Sequence, residues 1–141
     1  MAYSPQLKRV LARIEALPNA VRDDLKPSLI KSATDVADMV QHLAETSRDT
    51  GALIDSVAVT LPGQTTPPYS QPGGSRTAHE LEAIVTVGNS DVRYAHLVEY
   101  GTAEAPAQPF FWPAVRTLRK RINGRLKRAA GKAARDWWSR R

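Results

Sequence analysis

The chain has 141 residues, 42% apolar and 24% charged, which suits one globular domain burying roughly 68% of its unfolded surface and excludes a disordered composition. It has no cysteine, so disulfides, thiol nucleophiles and thiolate metal sites are excluded. The net charge of +6 is uneven: residues 116–141 carry eleven Lys or Arg against one acid (+10), and the remaining 115 residues carry nine basic and thirteen acidic side chains (−4).

Ser4-Pro5 predicts a helix start, with Ser as N-cap and Pro at the first helical position. Leu7, Val10, Leu11, Ile14 and Leu17 follow at helical spacing until Pro18-Asn19 breaks the pattern, with Asn19 able to cap the next helix. This opening is amphipathic and mixed in charge. It lacks the apolar run of a signal peptide, and no stretch of about 18 apolar residues predicts a membrane span. The expectation is a soluble protein made in the cytoplasm.

A second helix is expected from about Ala20 to Arg48, on a stripe of Val21, Leu25, Leu29, Ala33, Val36, Val40, Leu43 and Ala44. Pro27 either kinks it or marks its true first turn. Thr50-Gly51 is a helix stop. Alternation from Ile54 to Leu61 predicts a strand. The segment 62–77, PGQTTPPYSQPGGSRT, has four prolines and three glycines and supplies nothing to a core. It reads as a long loop, or a ribbon with a flexible tip, with Tyr69 as its only large side chain. ELEAIVTVG, from Glu80 to Gly88, predicts a second strand, and the two strands suggest an antiparallel hairpin. Val92 to Tyr100 is a short strand or a helical turn.

The last element is a helix over 113–138. Val115, Leu118, Ile122, Leu126, Ala129, Ala133 and Trp137 step regularly by three or four, and most of the cations fall away from that stripe. Such a helix is about 39 Å long. The fold class is α+β, one domain over 1–141, with N-terminal helices, a small antiparallel sheet with a long hairpin loop, and a long basic C-terminal helix.

No catalytic motif is present. His42, His79 and His96 have no metal-ligand spacing, no nucleophile elbow occurs, and Gly73-Gly74 is not followed by a phosphate-loop Lys. Glu80 and Glu82 are expected on a solvated strand face. Glu99 has no visible partner in sequence. No cofactor or metal is expected.

Three of the nine aromatics, Phe110, Phe111 and Trp112, stand side by side between Pro109 and Pro113, directly before the basic segment. Two accounts stay open. The segment crosses the body and seals the core, or Tyr100, Phe110, Phe111 and Trp112, with Tyr69 and Trp137, anchor a neighbouring subunit. The basic helix, with Arg116, Arg119, Lys120, Arg125, Lys127 and Arg128, is a solvated face, a contact for an acidic surface, or a contact for DNA phosphates.

The blocks Thr50-Gly51-x-Leu53-x-Asp55-Ser56-Val57, Tyr94-Ala95-x-x-Val98-Glu99-Tyr100-Gly101-Thr102 and Pro106-x-Gln108-Pro109-Phe110-Phe111-x-Pro113-Ala114, in that order, resemble the neck or tail-completion protein family of long-tailed bacteriophages, of the lambda-like phage and prophage type. The chain departs from the family pattern at Thr46 to Asp49, where a proline is common, and at Trp112, where the family more often carries an aromatic-aliphatic-Arg run. The resemblance implies a structural virion protein without catalytic turnover. It implies a ring, usually of six copies, at the head–tail junction or the top of the tail, with DNA in its channel. The implied partners are other copies of the chain and the adjoining head-connector, neck and tail-tube proteins. The alternative is a small, non-specific nucleic-acid-binding protein acting through the basic helix.

Overall fold

The computed structural model describes residues 4–15, 18–45 and 51–140. Seven elements follow in order: α1 (Pro5–Glu15), α2 (Asn19–Ala44), α3 (Ala52–Asp55), β1 (Ala58–Thr60), β2 (Ile84–Thr86), α4 (Ala95–Tyr100) and α5 (Phe111–Ser139). This is the expected α+β arrangement, with a two-stranded antiparallel sheet and a long C-terminal helix. Leu17, the block Thr46 to Thr50 with the expected helix end at Arg48, Arg141, and the side chains of Val10, Leu11 and Ile14 lie outside the described residues.

The frame is the pair α2 and α5, which pack along each other more extensively than any other two elements. From α2, Val21, Ala33, Ala37, Val40 and Ala44 are buried; from α5, Phe111, Ala114, Leu118 and Ala133. Alanine supplies three of those five positions on α2 and two of the four on α5. Polar ties supplement the packing. Arg125 reaches from α5 to α2, where it pairs with Asp35 at 2.8 Å and donates to Ser32 Oγ at 3.2 Å. Near the ends of the helices Arg140 meets Asp24 at 3.4 Å.

Helix α2 runs through Pro27 rather than starting there. Its N-cap is Pro18, with φ −56° and ψ 145°, and not Asn19, which is the first helical residue. The Pro18 carbonyl takes the first helical amides, from Val21 at 3.0 Å and Arg22 at 3.1 Å. The Asn19 side chain instead accepts from the Arg22 guanidinium.

The strands are shorter than the alternation suggests. Residues 52–55 form the single turn α3, set up by Gly51 at φ 86°. Register then pairs Ala58 with Thr86, Val59 with Val85 and Thr60 with Ile84. Ahead of β1, Ser56 closes the corner: its hydroxyl donates to the Leu53 carbonyl at 2.6 Å and accepts the Gly88 amide at 3.0 Å. Glu80 and Leu81 form a turn and Glu82 and Ala83 are irregular, so none of the four is strand. The reason lies in Glu82, whose two carboxylate oxygens each accept from the Arg76 guanidinium at 2.7 Å, while the His79 amide donates to it at 3.1 Å. A residue bent back to the preceding loop cannot also extend a ladder.

The segment 62–77 is a loop, as composition predicts, but it contributes to the interior. Thr66 and Ser70 are buried, as is Ala78 just after it. Thr65 bridges Thr77, and Gln71 bridges Val87 through two backbone hydrogen bonds of 2.8 and 2.9 Å. The Gln71–Pro72 peptide is cis. The loop is held by its backbone groups, which composition does not reveal.

The Arg76–Glu82 clasp has a pH signature. The Arg76 guanidinium, more than the opposing cost of burial, holds the Glu82 carboxyl below its ordinary value of 4.5. A carboxylate with a depressed folded value adds stability that is complete above the unfolded value and fades as pH falls through the folded one. The wild-type chain is therefore expected to be more stable than Glu82→Gln at neutral pH. The gap should begin to narrow as pH falls below the ordinary value of 4.5 and close once pH has passed the depressed folded one. Urea melts of both proteins from pH 7 to pH 3 measure it; a gap that stays constant over that range would remove the clasp as its source.

Candidate assembly site

The stretch from Tyr94 to Ala114 answers what the aromatic run does. The core gathers around it: Phe110 is fully buried among Val40, Ala44, Leu53, Val87, Val92, Ala95 and Ala114, with Phe111 beside it. Phe110 and Phe111 therefore follow the first of the two accounts open to them and seal the core.

Glu99 lies opposite them on α4, only 7% exposed. Its Oε2 accepts the amides of Phe110 at 2.8 Å and Phe111 at 2.9 Å, and its Oε1 accepts that of Trp112 at 3.1 Å. The next residue, Pro113, has no amide proton to satisfy. One carboxylate thus completes the hydrogen bonding of the first turn of a 29-residue helix, and its negative charge sits at the positive end of the helix dipole. This also explains why α5 starts at Phe111, two residues before the expected Pro113. Glu99 is a structural anchor, with the partners that the sequence alone did not reveal.

The neighbouring Tyr100 points the other way and is 68% exposed. Its hydroxyl accepts from Trp112 Nε1 at 2.8 Å, and Trp112 stands edge-on to Phe111 with ring centroids 5.2 Å apart. Adjacent residues on α4 therefore hold the start of α5 from inside and outside. Gly101, at φ 77°, reverses the chain; a Cβ there would meet the Ala107 amide nitrogen at 2.6 Å. The Thr102 amide then donates to Ala105 at 2.9 Å and the Gln108 amide to Val98 at 2.8 Å. These bonds lay residues 102–109 over the end of α4, and Tyr94, Leu97, Val98, Ala105 and Pro106 line a shallow surface groove beside it.

Tyr94 and Leu97 are also exposed, so that positions 94, 97 and 100 follow one another at about one helical turn each. Tyr69, from the 62–77 loop, is 56% exposed and sits at φ 62°, an unusual conformation for a residue with a side chain. The Arg93 guanidinium lies 3.8 Å from its ring centroid, and Arg93 Nε donates to the Ser90 carbonyl at 3.1 Å. The last expected aromatic, Trp137, is half-buried near the end of α5 and packs at an angle to the exposed Trp138.

The six singled-out cations divide. Arg116, Arg119, Lys120 and Lys127 line one groove with Asn123 and Gly124. Arg125 is turned to α2, and Arg128 lines the cleft between α2 and α5. Helical spacing already sets Arg125 on the side opposite Arg116, but the α2 carboxylate that claims it is distant in the chain.

Fold and site define an α+β protein whose exposed aromatic side chains are suited to contact with another macromolecule. The sequence model of one family, described as "Bacteriophage HK97-gp10, putative tail-component", matches residues 8–101. That is about two thirds of the chain, and the chain belongs to this family of phage tail components. The match takes in Glu99 and Tyr100 and ends at Gly101, before the amides that Glu99 holds and before α5. No curated protein and no solved structure matches the chain. Among the described residues, no helix is long and apolar enough to cross a membrane.

Proposed function

We propose that this chain is a structural, non-catalytic subunit of the phage virion. It forms a ring, six copies being the expected number, at the head–tail junction or the top of the tail. The ring joins or completes the tail around the DNA channel, between head-connector or neck proteins and the tail tube. The chain is made in the host bacterial cytoplasm and ends in the particle. Membership of the tail-component family carries this reading.

The surface supports it. Tyr94, Leu97 and Tyr100 give α4 and its N-cap an exposed apolar face, and tyrosine is a residue type enriched at interface centres. Tyr69, held by Arg93, is presented with little freedom left to lose on binding. The two-stranded sheet leaves strand edges that a neighbouring copy can pair with. Mass spectrometry of gradient-purified particles, followed by antibody labelling under the electron microscope, tests the reading. It predicts a few copies per particle, with label at the neck or the tail top. Absence from intact particles would overturn it.

A second reading, non-specific nucleic-acid binding through α5, is favoured by one observation. Among the described residues, Arg116, Arg119, Lys120 and Lys127 have no carboxylate partner.

A further inference from the structure

We infer that the groove lined by Arg116, Arg119, Lys120, Asn123, Gly124 and Lys127 on α5 is a docking rail for the phosphate backbone of duplex DNA. This deepens the second reading above and rests on it; it does not depend on ring formation.

Helix α5 carries nine cations and one acid, and the fold sorts them. Arg125 is held by Asp35 and Lys132 by Asp136, each at 2.8 Å; just past the helix, Arg140 is held by Asp24. The cations at 116, 119, 120 and 127 are exposed, lie along one side of the helix, and share their groove with no acidic residue. Charge left uncompensated inside the chain is available to an outside polyanion.

The dimensions suit a duplex. From Arg116 to Lys127 the helix rises about 16 Å. The major groove of B-DNA is about 12 Å wide, so a strip of that length reaches phosphates on both of its edges. Asn123 adds a neutral donor, and the Arg128 guanidinium lies beside Gly124, where an added Cβ would meet its Nη1 at 3.2 Å. The composition argues against a protein partner here. Interface centres between proteins are built on aromatic and apolar anchors. No such side chain lines this groove, whereas contacts to DNA are polar and strongly positive. Contacts limited to phosphate confer no sequence preference.

The test is fluorescence anisotropy of a labelled duplex of random sequence with the full-length chain, between 50 and 200 mM salt. Four phosphate contacts predict a log–log salt slope of about −3.6, or an affinity loss of about 100-fold over that range. The variant Arg116→Gln/Arg119→Gln/Lys120→Gln/Lys127→Gln should flatten the slope and weaken binding at 50 mM at least about tenfold. Gln preserves helix propensity, and far-ultraviolet circular dichroism checks the fold. The milder pair Lys120→Gln/Lys127→Gln should reduce the slope by about two. Neutralising Lys26 and Lys31 on α2 should change little. Binding that survives the four substitutions unchanged would overturn the rail while leaving the second reading intact. No binding of the wild-type chain at 50 mM would overturn both. Tighter binding to polyglutamate than to DNA would assign the strip to an acidic protein surface and also overturn the rail.

Discussion

Replacement of Glu99 by alanine is expected to destabilise the fold by about 3 kcal/mol. The carboxylate receives three backbone amides, two of them from residues in the core. Stranding a buried donor costs about 1–3 kcal/mol, so the pair from Phe110 and Phe111 sets the scale. Fraying of the first turn of α5 would let water reach the Trp112 amide and limit the total. Glu99→Gln keeps one carbonyl acceptor but removes the charge and presents an NH2 group to an amide. It should cost less than Glu99→Ala, about 2 kcal/mol. Urea denaturation of the three proteins measures the order. A change under about 0.5 kcal/mol for alanine would mean that the amides find other partners and that the carboxylate is incidental.

Phe110→Ala should be the most damaging single truncation, at about 3–5 kcal/mol. The ring is fully buried in a cluster that joins distant parts of the chain, including Val40 of α2 and Val87 beyond β2. Its removal forfeits transfer energy and leaves a cavity that the small residues Ala44, Ala95 and Ala114 cannot fill. A domain of this size is stable by about 5–15 kcal/mol, so the loss takes a third or more of a typical value. At about 3 °C per kcal/mol, the midpoint of thermal unfolding should fall by roughly 10 °C. Phe110 and Glu99 also meet at the same helix start. A double-mutant cycle should therefore return a coupling above about 0.5 kcal/mol rather than simple additivity. Phe110→Ala within 1 kcal/mol of wild type would place the ring outside the core.

These two residues also show what the sequence makes legible. The apolar stripes of α2 and α5 repeat every three or four residues, and such periodicity survives into the structure because each helix buries one face. The start of α5 was less visible. Its cap comes from a carboxylate twelve residues upstream of Phe111, on another helix, whereas sequence capping signals lie within one turn. The strands were overestimated for a related reason. Alternation continues through Glu80 to Ala83, but the Arg76–Glu82 pair turns that segment back toward the loop. Composition showed the 62–77 loop but not its anchoring, since the bonds at Gln71 and Thr66 are made by backbone groups or a hydroxyl that no pattern records. The aromatic run divided by geometry: Phe110 and Phe111 inward, Trp112 partly outward onto Tyr100. Likewise the basic helix divided into cations bound to α2 and cations left at the surface.

Electron microscopy of a lysate from the phage or prophage with this gene disrupted addresses the central proposal most directly. The account predicts filled heads lying beside separate tails, or tails of irregular or excess length, with infectivity restored when the gene is supplied in trans. Normal, infectious particles from the disrupted phage would contradict it.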